Sequence, residues 1–178
     1  MKNIVITLFS VFFLVSCSNK PTLQKYFVEN TESKDFISID LGSDIINTEK
    51  MSLTDEDKEA LESFEKVNVL AFKKEESNKN NYEVEVKKVK TILKDTVSYN
   101  ELMKFGSGND GAAIYFVGDD DEHINEFVLF ANKKENGFAV VRVLGKDMNP
   151  MNIMKIMRLM QKSDINLEQL KPLQEIMK

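Results

Sequence analysis

The chain has 178 residues, 30% of them charged, and a formal net charge of −5. That balance excludes the basic patch a nucleic-acid binder needs. With Arg142 and Arg158 as the only arginines, it also argues against an arginine cluster built to clamp phosphates or carboxylates. One cysteine rules out an internal disulfide, so the fold stands on its core alone, and the length suits a single domain.

Lys2 and the apolar run Ile4 to Val15 have the order of a secretory signal peptide. The run is too short for a spanning helix, which takes about 20 apolar residues. Leu14-Val15-Ser16-Cys17 then resembles a bacterial lipobox. In such signals the cysteine thiol takes a diacylglycerol, the peptide is cut just before the cysteine, and the new amine receives a palmitate-like chain. Cys17 is therefore the candidate lipidation site. Residues 1–16 are expected to be removed, residues 17–34 to form the lipidated cysteine and tether, and residues 35–178 to form one domain. Two or three acyl chains, at about 0.8 kcal/mol per buried CH2, make a far firmer anchor than one myristoyl group. The expected partner is thus the membrane, and the expected address the cell envelope; Ser18 is compatible with sorting to the outer membrane. Loss of residues 1–16 takes Lys2 away and leaves the chain more acidic, against a second, electrostatic grip on anionic lipid.

Gln24 to Lys34 fits no clear period, though Tyr26, Phe27 and Val28 offer docking side chains. Phe36 to Leu41 alternates, with Ile37, Ile39 and Leu41 on one face, which predicts a half-buried strand. Ser43 to Met51 suggests a short helix. Thr54 with Asp57 three residues on, and acids between them, predicts a capped helix start followed by Leu61, Phe64 and Val67. Val67 to Phe72 is a nearly continuous apolar run, the pattern of a central strand buried on both faces. Tyr82, Val86, Val89 and Leu93 give a second amphipathic helix.

From Tyr99 the period changes to two. Four strands are expected, over 102–105, 112–117, 126–132 and 138–144, separated by short turn clusters that favour an antiparallel meander. Asn149-Pro150 opens a helix, with Asn as cap and Pro in the first turn. A weaker apolar segment, Ile165 to Met177, follows. The elements predict an α+β fold: a two-layer sandwich, its mixed or mainly antiparallel sheet of five to six strands covered by helices on one face.

Three motifs invite a chemical reading. Gly106-Ser107-Gly108-Asn109-Asp110-Gly111 matches G-x-G-x-x-G by letter, but a strand follows it where the dinucleotide fingerprint needs a helix. It reads as a hairpin loop. Asp119 to Glu122 with His123, the only histidine, gathers oxygen ligands of the kind Ca2+ favours. It lacks the spacing of a calcium loop and reads as a solvated turn. Met148, Met151, Met154, Met157 and Met160 recur every third residue. Thioethers could bind copper(I) or form an adaptable docking face; packing into the core is the expectation. The helix has more apolar positions than one stripe holds, so part of it should meet Ile165 to Met177 or another molecule.

The stretches VNVLAF, NELMKF, NEFVLFAN and GFAVVRVLGKDMNPMNIMKI resemble the small envelope lipoproteins of Bacteroidota grouped as domain of unknown function 4252, from about Asp35 to Gln161. The resemblance implies an envelope protein without an established activity, and it carries over no catalytic residue. Neighbouring genes of some members imply a tie to extracytoplasmic sigma factors. The expectation is therefore a non-enzymatic binding or interaction module with no catalytic, cofactor or metal residues. The alternatives are a component of envelope-stress signalling, and an envelope enzyme or metal carrier.

Overall fold

The computed structural model describes residues 20–107 and 110–163. Strands β1 (Phe36–Gly42), β2 (Phe64–Lys73), β3 (Asn100–Ser107), β4 (Asp110–Gly118), β5 (Ile124–Lys133) and β6 (Gly137–Met148) form one antiparallel sheet in the order β1-β2-β6-β5-β4-β3. Four helices accompany it: α1 (Leu23–Asn30), α2 (Asp55–Ser63), α3 (Lys79–Leu93) and α4 (Pro150–Lys162). After β2, which lies next to the β1 edge, the chain crosses along α3 to the far edge and then walks back through three hairpins until β6 pairs with β2.

The α+β class and the antiparallel six-stranded sheet agree with the sequence reading; the placement of the helices differs. Successive side chains of a strand point to opposite faces, and here both faces are covered. On one, Leu70, Phe72, Val128, Phe130, Phe138 and Val140 pack beneath α1 and α3 through Leu23, Tyr26, Tyr82, Val86 and Val89. On the other, Ile39, Leu41, Val67 and Val69 pack beneath α2 and α4 through Ala60, Ile156 and Leu159. A sheet with helices on one face only would leave Val69 or Leu70 in water. The unbroken apolar run of β2 requires both layers, since each buried aliphatic side chain contributes roughly 1.5–3 kcal/mol.

Local chemistry fixes the ends of these elements. The Thr54 side chain accepts the Asp57 N–H at 3.1 Å and Asp57 accepts the Thr54 N–H at 3.1 Å, closing the capping box that starts α2. Asn149 caps α4 by accepting the Asn152 N–H at 2.8 Å, with Pro150 as its first residue. Ser43–Ile45 is a single 3-10 turn where a short helix was expected. Gly145 sits where a Cβ would lie 2.0 Å from the Ser63 carbonyl oxygen, so only glycine lets β6 bend against the end of α2.

Residues 23–30 are not tether. Thr22 caps α1 through the Lys25 N–H, and Leu23, Tyr26 and Phe27 are buried in the core of the sheet's first face. Val28, also offered as a docking residue, is exposed.

Candidate binding surfaces

Cys17 lies outside the described residues. The described chain starts at Lys20, whose ammonium pairs with Asp95 at 2.6 Å just beyond the end of α3. Pro21 and Thr22 share a surface groove with Thr91 and Ile92 of α3. The chain therefore enters the fold at the C-terminal end of α3.

The glycine-rich motif joins β3 to β4. Gly106 pairs with Gly111 and Ser107 with Asp110, so the loop is a hairpin connection, as the strand after it required. The left-handed backbone falls on Gly106, at φ 75°, and Gly108 is outside the described residues.

Within the acidic turn, Asp120 is the organiser. Its Oδ1 accepts the Glu122 and His123 N–H groups at 2.9 Å and lies 2.9 Å from His123 Nδ1. The His123 contact holds the Asp120 carboxyl below its ordinary range, and the carboxylate in turn raises His123. One carboxylate spent on three local groups is how a tight Asx-type turn is closed. Among the described residues no three His, Cys, Asp or Glu side chains converge as a metal site would need.

The methionines depart from expectation. Met148 is fully buried, but Met151, Met154 and Met157 are 58%, 67% and 55% exposed. The core side of α4 is instead Asn152, Ile156 and Leu159. Asn152 donates to Ser63 Oγ at 3.2 Å, and Arg158 and Lys155 reach Asp57 and Glu56 of α2 at 2.8 and 2.9 Å. These bonds fix the rotation of α4 and with it the outward set of the methionines. The proposed partner segment of α4, Ile165 to Met177, lies outside the described residues.

A second apolar surface lies on the same side of the sheet. α4 reaches it through Ile153, which packs against the cluster of Ile124, Phe127 and Met148 with Ile114 and Phe116. Beyond that cluster runs the cross-strand row Met103, Ile114 and Leu129, with Phe105 beside it. Met103, Phe105 and Leu129 are exposed.

Arg142 was counted in the sequence but given no role. It is 4% exposed, on the face covered by α1 and α3. Its Nε and Nη2 donate to both Glu126 oxygens at 2.6 and 2.9 Å, and its Nη1 donates to Gln24 Oε1 at 2.7 Å. The guanidinium lies 5.2 Å from the centre of the Phe27 ring. A bidentate pair that also stacks on an aromatic ring uses the chemistry lysine lacks. It ties α1 to the middle of the sheet, and it is a structural bond rather than an open ligand site.

A cleft of about 400 Å³ opens on that same face, between the C-terminal end of α3 and the β3–β4 margin. Leu93, Tyr99, Ala113 and Phe130 contribute to its lining and are themselves mostly buried. Burial holds the phenols of Tyr99 and Tyr115 protonated and above their ordinary range.

No curated protein and no solved structure is significantly similar to the chain. The family model described as domain of unknown function (DUF4252) matches residues 26–156, from within α1 to the middle of α4, and the chain belongs to that family.

Proposed function

We propose that the protein is a lipoprotein of the bacterial cell envelope, anchored in the outer membrane through acylated Cys17. It works there as a non-enzymatic binding module. The carrying observation is the apolar surface on one side of the sheet: Met151, Met154 and Met157 on α4, with Met103, Phe105 and Leu129 exposed on the strands beyond. Exposed apolar patches of this kind mark interaction sites on soluble domains, and thioethers adapt to the shape of what they meet. The membrane address rests on the Leu14-Val15-Ser16-Cys17 sequence.

Two measurements test the two halves of this reading. Metabolic labelling with a palmitate analogue should mark the wild type and not Cys17→Ala; label retained on the variant removes the anchor. A photo-crosslinking residue at position 154, in native envelopes, should give a discrete adduct that Met151→Glu with Met157→Glu abolishes. The same adduct from position 83 on α3, or none from 154, overturns the docking surface.

A further inference from the structure

We infer that the cleft between α3 and the β3–β4 margin binds a single-chain amphiphile with an anionic head. Its walls divide by chemistry. Inside are apolar and aromatic side chains, Leu93, Tyr99, Ala113 and Phe130, which are 3–7% exposed. Around them stand Lys90 on α3, Lys94 just past its C-terminal end, and Lys104 across the opening on β3. Their ammonium groups have no hydrogen-bond or ion-pair partner among the described residues.

Two carboxylates, Glu101 and Asp110, also line the cleft. Asp110 Oδ1 accepts the Lys134 N–H at 2.7 Å, and Glu101 lies beside Tyr115, whose phenol its charge helps to hold protonated. Three lysines against these two carboxylates leave the lining with a net positive charge. Three lysines over an apolar floor suit neither a bare phosphate, which would leave the floor unused, nor a neutral hydrocarbon, which would leave the lysines unused. Lysine stems extend the apolar wall while their heads stay at the water, so a carboxylate or phosphate head would sit at the rim and its chain inside. The volume, about 400 Å³, falls within the range of about 300–1,000 Å³ typical of small-molecule sites.

The place of the cleft supplies a source for such a ligand. The Tyr99 hydroxyl accepts the Leu23 N–H at 3.2 Å, so the floor is bonded to the residue where the tether enters the fold. Leu23 is six residue steps from Cys17, a reach of at most roughly 20 Å. A membrane origin rests on the anchoring reading above; the binding itself does not.

Calorimetric titration of the mature chain, residues 17–178 with Cys17→Ala, tests the site without an acyl chain of its own. Dodecanoate below its micelle concentration should bind one to one with a micromolar Kd. Dodecyltrimethylammonium, of equal chain length, and acetate, with the head alone, should each bind at least tenfold more weakly. Lys90→Gln with Lys94→Gln, and separately Lys104→Gln on the opposite wall, should weaken dodecanoate at least tenfold while Tm holds. Equal affinity for the cation or for acetate overturns the proposal. So does wild-type affinity in both lysine variants, or a titration that does not saturate. Loss of acyl labelling would leave this titration untouched, so the two readings fail separately.

Discussion

Ile156 is 2% exposed and Met157 is 55% exposed, one residue apart on α4. Truncating a buried aliphatic side chain removes its transfer energy and leaves a cavity, so Ile156→Ala should cost about 2–5 kcal/mol. Met157→Ala, on the open side, should stay within about 0.5 kcal/mol. Urea unfolding followed by circular dichroism distinguishes them, and similar losses for both would contradict the assigned rotation of α4. The misreading of the methionines has a geometric cause. A residue advances about 100° around an α-helix, so each three-residue step falls about 60° short of a turn. Met148 ends β6, and the four methionines on α4 wind through about 180° of the helix, so they cannot all share the core face. The spacing of Asn152, Ile156 and Leu159, four then three, does hold a face. That signal was present but hidden, because a polar Asn152 starts the buried face while methionines and Ile153 are spread over the rest of the helix.

At the scale of elements, strands were the more legible. Alternation placed β1 and β3–β6 within a few residues, and the Thr54 and Asn149 caps placed α2 and α4. α1 was missed because three adjacent apolar residues, Tyr26 to Val28, obscure its period; its signal was Thr22 as cap with Leu23, Tyr26 and Phe27 on one face. What holds it down was not legible at all. Gln24 and Glu126 lie 118 and 16 residues from Arg142, and no local pattern joins them. The pair is buried, with side chains 5% and 12% exposed. Removing one partner strands the other charge out of water, so Arg142→Met should destabilise by about 3–5 kcal/mol. Adding Glu126→Leu should restore much of that loss, since two apolar side chains need no partner. Calorimetric unfolding of the single and double variants measures both; a double variant no better than the single would show that the clamp acts through packing on Phe27 alone.

At the scale of the whole molecule, the first described helix begins at Leu23, twelve residues before the expected domain start at Asp35. Under the lipid anchor proposed for Cys17, the tether is short and the fold is expected to hang close to the membrane. Under that proposal it is also expected to hang one way up. The chain enters at the C-terminal end of α3, where Pro21 shares a groove with Thr91 and Lys20 pairs with Asp95. α3 has 15 residues, which at 1.5 Å each separates its ends by roughly 20 Å. Its C-terminal end should therefore lie near the lipid surface and its N-terminal end well above it. The chain has no tryptophan, so an introduced indole reports a single position. Thr91 and Glu76 are both exposed, near opposite ends of α3. In vesicles containing brominated lipid, the lipidated Thr91→Trp variant should be quenched much more than Glu76→Trp. Adding Cys17→Ala should free both from the vesicle and abolish the difference. Equal quenching in the lipidated proteins would mean that the domain tumbles on its tether, and would separate the entry point of the chain from the face turned toward the membrane.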